Sequence, residues 1–147
     1  MFLILAIKNF TGFNQLSRKP VAGYSDMAKT KWPKPPKYSV PLFNCAEIVL
    51  LREKEEAIEY LDRLGLSFDL NGFNGFAYSH HREGKTPIMI IAVFVHEPQI
   101  LAHEACHTAF DICNHVGVPT PNDGMNETFC YLVQQIVRAF LPHIRQE

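Results

Sequence analysis

The run IMIIAVFV (residues 88–95) is the longest uninterrupted apolar stretch in this chain of 147 residues. A continuous apolar run of this length is expected for a strand that is buried on both faces of a sheet, because an exposed face would require alternating polar residues. The stretch therefore predicts a fully buried strand, and its neighbours on either side decide the fold class.

The residues before this run predict the rest of a sheet and one helix. FAYSHH (residues 76–81) has the character of a strand, and Gly84 lies between the two runs at the distance of a hairpin turn. SVPLFNCAEIVLLR (residues 39–52) is rich in branched apolar residues and predicts another strand. EKEEAIEYLDRLGL (residues 53–66) has apolar residues at helical spacing, and Gly65 can end that helix.

The residues after the run predict two helices. Pro98 suits the first turn of a helix that continues to a glycine terminator at Gly117. VPTPNDG then has the composition of a loop, and an amphipathic helix is expected from Met125 to Ile144. The expected fold class is α+β, with a small mixed sheet on which an active-site helix and a C-terminal helix pack.

Composition indicates a soluble globular protein. Hydrophobic residues make up 47% and charged residues 20% of the chain, and the net charge of -1 does not suggest a nucleic-acid binder. The apolar start MFLILAIKNF is too short to span a membrane and lacks the features of a signal peptide. The four cysteines form no C-x-x-C pair, so reduced thiols, a cytoplasmic location and no membrane partner are expected.

One segment departs from this even balance of charge. Residues 18–37 contain six basic residues and one acid, so they carry about +5 and leave about -6 to the rest of the chain. Four prolines there disfavour helix and sheet interiors. We expect residues 1–17 to be an N-terminal strand or packing segment, residues 18–38 a basic arm or loop, and residues 39–147 one α+β domain. The arm is either a solvated loop or a docking segment for a protein partner or nucleic acid.

The sequence HEACH lies within the helix predicted after residue 98. On a helix His103 and His107 project from the same face, so two ring nitrogens can bind one Zn²⁺. Glu104 points about 100° away and is suited to act on a water molecule rather than on the metal. The pattern therefore predicts a zinc site with a carboxylate base beside it.

A catalytic zinc requires a third protein ligand and an open position for water. Glu127, 20 residues after His107 and at the start of the last helix, can be brought back by the intervening loop. The alternative is that Glu127 only favours the start of that helix. Weaker competitors are Asp111, which suits the orientation of an imidazole, and Asp123 and His115.

HEACH, the NE of NETFCYL and the strand–helix–loop–helix order resemble the zincin metallopeptidases, in particular their glutamate-ligand branch, the gluzincins. HEACHTAFD is similar to the H-E-x-x-H-x-x-x-D run of thermolysin-like enzymes. This similarity implies that Asp111 orients the imidazole of a metal ligand. The tail "G-V-P … N-E … Y-L" resembles small H-E-x-x-H proteins of tailed bacteriophages. The resemblance covers roughly residues 73 to 140 and implies a minimal zincin-like fold, in the host cytoplasm or the virion.

This resemblance implies a zinc-dependent endopeptidase that hydrolyses peptide bonds through a metal-activated water. His103, His107 and Glu127 would hold the ion, and Glu104 would be the general base and later the proton donor. The strand FAYSHH would lie at the sheet edge and pair with an extended peptide or protein substrate. Four side chains are candidates for stabilising the oxyanion: Tyr78, His80, His81 and Tyr131.

Two other functions are compatible with the sequence. The small size and the basic arm also suit a non-catalytic zincin-fold structural or adaptor protein, such as a phage assembly component. A nucleic-acid-binding module that uses the arm is a third reading, against which the near-neutral total charge argues. Nucleic acid is therefore an unlikely partner.

Overall fold

A computed structural model of the chain describes residues 34–121, 124 and 126–144, together with the backbone of Ala6–Lys8. In chain order the elements are β1 (Ala6–Lys8), β2 (Lys37–Ser39), β3 (Glu47–Leu51), α1 (Lys54–Arg63), β4 (Phe73–Arg82), β5 (Lys85–Val93), α2 (Pro98–Val116), α3 (Glu127–Phe140) and a 3₁₀ turn (Leu141–His143). The predicted α+β class is confirmed.

The described strands form one mixed sheet in the order β1-β4-β5-β3-β2. β3 and β5 pair in parallel, whereas the other three neighbouring pairs are antiparallel. β4 and β5 form the expected hairpin, in which Arg82 pairs with Lys85 and Gly84 has a positive φ of 63°. Only glycine adopts that conformation without strain, so Gly84 allows the short connection.

β5 lies in the middle of this sheet and is buried on both faces, as its continuous apolar sequence predicts. Met89, Ile91 and Val93 pack in the core that also contains α2 and α3. The alternate side chains of β5 pack instead with those of α1: Ile88, Ile90 and Ala92. The sheet therefore separates two apolar layers, and α2 lies on the face opposite α1.

α2 and α3 pack against each other on that face, as expected for the C-terminal helix. The rings of Phe110 and Phe129 join the two helices with centroids 4.5 Å apart. α2 begins at Pro98 and ends at Gly117, where φ is 70° and the Val118 N–H donates to the Cys113 carbonyl at 2.9 Å. The glycine and this hydrogen bond form a Schellman motif at the C-terminal end. The start at Pro98 and the end at Gly117 confirm both predicted boundaries.

Residues 39–52 do not form the single strand that their composition predicts. They contain the end of β2, a turn and β3, because Phe43 and Asn44 take positive φ values of 56° and 47°. The Cys45 N–H donates to the Leu42 carbonyl at 3.2 Å and closes the turn. Two consecutive positive φ values are typical of a type I′ hairpin turn, which is normally built from Asn, Asp or Gly.

Phe43 is therefore in an unfavourable place for a bulky residue, since a left-handed conformation costs roughly 1–2 kcal/mol without glycine or asparagine. We expect Phe43→Asn combined with Asn44→Gly to raise the free energy of unfolding by about 1 kcal/mol and Tm by about 2–4 °C. Thermal unfolding followed by circular dichroism measures this. Phe43→Ala is the control, because it removes the ring, 75% exposed, but keeps the strained backbone; an equal gain there would contradict the backbone explanation.

The expected position of FAYSHH at the sheet edge is wrong for its first residue, Phe76, which β1 covers; among the described strands, none pairs with the outer side of residues 77–81. β1 pairs with the outer side of β4, where Ala6 is opposite Phe76 and Lys8 is opposite Phe73. β4 therefore lies between β1 and β5. β1 belongs to the predicted N-terminal segment 1–17, whose other residues lie outside the described part of the chain.

Most of the basic arm also lies outside the described residues, of which residue 34 is the first after Lys8. The last residues of the predicted arm, Lys37 and Tyr38, join β2 at the edge of the sheet. Lys37 forms an ion pair with Glu47 of β3 at 2.7 Å. Among the described helices, none has the length and apolar character needed to cross a membrane.

Candidate metal centre

α2 presents the two histidines of HEACH on its outer side. Its inner side is apolar apart from two residues, and is buried against the sheet and α3; its members are Ile100, Leu101, Glu104, Ala105, Thr108, Ala109, Ile112 and Cys113. His103 is exposed and His107 is half-buried. Since they are four residues apart, both imidazoles extend from neighbouring turns of one helix.

The two imidazoles converge. Their Nε2 atoms are 2.9 Å apart, and their ring centroids are 4.7 Å apart at an interplanar angle of 70°. A Zn–N bond is about 2.0–2.1 Å long, so nitrogens at this separation can both reach one ion. This donor pair therefore fits a zinc ion without a change in the helix backbone.

His107 is biased towards the form that binds metal. Burial lowers the pKa of His107, and the neighbouring His103 lowers it further, whereas the carboxylate of Asp111 acts in the opposite direction. The net direction favours the neutral imidazole. A metal binds that form, because its ligating nitrogen must carry no proton.

Glu104 lies on the inner side of α2 and has no exposed surface. Neither of its carboxyl oxygens has a hydrogen-bond partner among the described residues. Burial raises the pKa of Glu104 to about 8, because an ionised carboxyl is poorly solvated there. Burying a polar group without a partner costs about 1–3 kcal/mol.

Gly75 of β4 allows α2 to approach this strand closely. A Cβ atom at position 75 would lie 2.6 Å from the carbonyl oxygen of Ala92 and 2.7 Å from Cγ2 of Ile100. It would also lie 3.5 Å from Cγ of Glu104. Contacts below 3.0 Å are not sustainable, so only glycine allows Ile100 of α2 and the backbone of β5 to approach β4 this closely; the distance to Glu104 is an ordinary van der Waals contact.

Asp111 lies one turn after His107 and is held by the sheet. The Ser79 hydroxyl of β4 donates a hydrogen bond to Oδ2 of Asp111. The charge of Asp111 raises the pKa of His107, but neither a hydrogen bond nor an ion pair joins the two side chains in the described part of the chain. The expectation that Asp111 orients an imidazole stays a prediction. The sequence did not predict the hydrogen bond between Asp111 and Ser79 of β4.

Glu127 is the first residue of α3 and is exposed. The N-cap Asn126 makes no side-chain capping bond. Among residues 34–121 and 126–144, no three His, Cys, Asp or Glu side chains are arranged to hold a metal ion. The structure thus brings His103 and His107 together but does not place Glu127 with them. The role of Glu127 as third ligand stays a prediction.

The competitors for the third position are placed elsewhere. The ring of His115 packs against His81 of β4 with centroids 5.3 Å apart. Asp123 lies outside the described residues. His115 therefore belongs to a different contact between helix and strand.

The candidates for oxyanion stabilisation are divided between the two faces of the sheet. Tyr78 packs against Phe68 in the layer of α1, and His80 stacks on Tyr78. They therefore do not face α2, because successive strand residues point to opposite faces. Tyr131 of α3 is 60% exposed rather than buried in the core, and it remains a candidate together with His81.

Gly75 and Ser79 are two site-related residues that the sequence did not single out. With Ala77 they occupy every second position of β4 and form a row of small residues towards α2. Small residues at a period of two are the signal that a helix packs closely on a strand. This signal becomes interpretable once the helix is known to lie over β4.

No protein-family profile matches the chain, and neither the curated proteins nor the solved structures yield a match.

Proposed function

We propose that this chain is a zinc-dependent metallopeptidase of the gluzincin type, which hydrolyses bonds in a peptide or protein substrate. His103 and His107 hold the ion, Glu127 is the third ligand, and Glu104 is the general base. The observation that carries the proposal is the convergence of two Nε2 atoms at 2.9 Å; the residue that follows His103 on the same helix, Glu104, is a buried carboxyl without a partner among the described residues. Structural roles alone do not require either feature.

The chemistry is divided between the ion and the chain. Zinc, when bound, lowers the pKa of water to about 7 and polarises a carbonyl group. The two histidines bind the ion and fix its position, since they extend from the middle of α2. Glu104 moves a proton, because its two oxygens have no partner among the described residues and are free to take one and return it.

The packing around Glu104 supports this assignment. The carboxyl lies in an apolar layer on the inner side of α2, where Ile100 and Ala105 are its buried neighbours along the helix. Electrostatic interactions are stronger in such surroundings than in water. Because burial raises the pKa of Glu104 to about 8, its ionised form is a stronger base than an exposed carboxylate, but this form is the minor one at pH 7.

Metal analysis of the purified protein is the direct experiment. We expect about one equivalent of zinc per wild-type chain, and almost none in His103→Ala or His107→Ala, because each change removes one of two convergent nitrogens. Inductively coupled plasma mass spectrometry measures the content after dialysis against metal-free buffer. Glu127→Ala should bind zinc more weakly, since a three-ligand site becomes a two-ligand site.

The matched control is His115→Ala, which removes an exposed histidine from the same helix. Its ring contacts His81 and not the histidine pair, so its zinc content should equal that of the wild type. A wild-type content below about half an equivalent, or equal losses in all histidine variants, would contradict the proposed site.

A further inference from the structure

β1 occupies part of the outer side of β4, the strand on which α2 packs. The two strands run antiparallel, with Ala6 opposite Phe76 and Lys8 opposite Phe73. Residues 77–80 of β4 continue beyond this pairing, and among the described strands none pairs with their outer side. The backbone N–H and C=O groups along the edge of a strand are a template to which an extended peptide can add.

The part of β4 that β1 covers lies beside the candidate metal centre. A Cβ atom at Gly75 would be 3.5 Å from Cγ of Glu104, and further along β4 the Ser79 hydroxyl donates to Oδ2 of Asp111. These two contacts mark where α2 runs over the strand, and His107 lies between them in the helix. β1 covers the outer side of β4 at the Gly75 end of this stretch.

The pairing of β1 with β4 is short and irregular. β1 has three residues, and the register shifts between Ala6 and Lys8. β4 pairs with β5, in contrast, from Gly75 to Arg82. A strand that is held by few backbone hydrogen bonds separates from a sheet more readily than one that is held by many. β1 is therefore the strand that an incoming peptide can replace, whereas β5 is not.

Building on the proposed function, we propose that β1 is an autoinhibitory strand, which competes with an extended peptide substrate for the outer side of β4 beside the histidine pair. The substrate is a polypeptide segment in extended conformation, because such a segment can form the hydrogen bonds that β1 forms. β1 must leave before the substrate fills this edge. A strand with a merely structural role would stabilise the sheet without changing the affinity for substrate.

The test is steady-state hydrolysis of one peptide, chosen from a random-sequence mixture, by the zinc-bound full chain. The variant combines Ala6→Pro with Ile7→Pro. Consecutive N–H groups of a strand point to opposite sides, so one of the two faces β4 and is lost. We expect KM to fall by about 10-fold with kcat unchanged, because the apparent affinity depends on the fraction of molecules in which the edge is open. Thermal unfolding verifies that the variant is folded.

Lys37→Met is the matched control. It removes the 2.7 Å ion pair between Lys37 and Glu47 from β2, the three-residue strand at the opposite edge of the sheet. Its KM should therefore equal that of the wild type.

A second measurement leaves β1 unchanged. Hydrogen exchange is followed in Glu104→Gln, which should bind the same peptide without cutting it. The peptide should accelerate exchange of the backbone amides of β1 and slow exchange of residues 77–80, because one strand leaves the edge and another joins it.

The outcomes separate the competition from the proposed function. Hydrolysis by the wild type with an unchanged KM in the proline variant overturns the competition alone, as does an equal fall of KM in Lys37→Met. Unchanged exchange of β1 with the peptide bound overturns it as well, and this measurement decides if the proline variant does not fold. If neither the zinc-bound wild type nor the proline variant cuts a peptide, the proposed function is overturned, and the competition with it.

Discussion

Replacement of Glu104 by glutamine is expected to lower peptide hydrolysis by about 10²–10⁴-fold, the range for loss of a general base, while leaving zinc content unchanged. Glutamine has nearly the same shape as glutamate and cannot accept the proton. The measurement follows new termini in a mixture of random-sequence peptides by mass spectrometry, alongside metal analysis of the same preparation.

The structure gives a reason to expect opposite effects on activity and stability. The carboxyl is fully buried and has no partner among the described residues, so it destabilises the fold by about 1–3 kcal/mol. Glu104→Met, which is apolar and similar in length, should therefore raise the free energy of unfolding by a similar amount and abolish hydrolysis. A residue kept at a cost in stability is typical of a functional site.

Glu97→Gln is the matched control for the Glu104 variants. It makes the same chemical change at an exposed glutamate at the start of the same helix, where Glu97 accepts a hydrogen bond from Gln99. Its activity and stability should match the wild type. If Glu104→Gln retains zinc and full hydrolysis, Glu104 is not the base; if the zinc-bound wild type cuts nothing, the structural or adaptor function is favoured.

Gly75→Ala is expected to destabilise the protein by about 3 kcal/mol or more, at the upper end for overpacking. The new Cβ meets a backbone oxygen of β5 and a methyl group of Ile100, both below 3.0 Å. The backbone oxygen of Ala92 cannot rotate away, so the pairing of β4 with β5 must distort, and α2 must move to relieve the contact with Ile100. Chemical denaturation measures the loss.

Gly72→Ala separates this steric effect from a backbone effect. Gly72 has a φ of 76° and open space around it, so alanine there meets no atom and costs only conformational strain of roughly 1–2 kcal/mol. A loss at Gly75 no greater than that at Gly72 would contradict the role of Gly75 as the point of close approach. Ile100→Ala should reduce the cost of Gly75→Ala, because it removes one of the two clashes.

The parts of the fold that depend on local pattern were predictable from the sequence. The continuous apolar run of β5 predicts burial on both faces, and the proline and glycine at the ends of α2 predict its limits. These signals act within one element, so no knowledge of neighbouring elements is needed. The convergence of His103 and His107 is of the same kind, because it follows from helical spacing.

The parts that depend on how elements meet were not predictable. Phe43 gives no sign of a turn, since a phenylalanine at positive φ is held by the two strands that it connects. Ser79 looks like any polar strand residue until Asp111 is known to lie opposite. Tyr78 and His80 lie on β4, the strand on which α2 packs, yet the pleat places them on the other face of the sheet.

The order of β4, β5 and α2 along the chain has a consequence for folding. Two residues connect the hairpin strands and four connect β5 to α2, whereas parallel pairing joins Glu47 to Ile88 across 41 positions. Closing a short loop costs less entropy than closing a long one. We therefore expect the hairpin and its helix to assemble as an early, local folding unit, so that the histidine pair forms before β3 docks and completes the sheet.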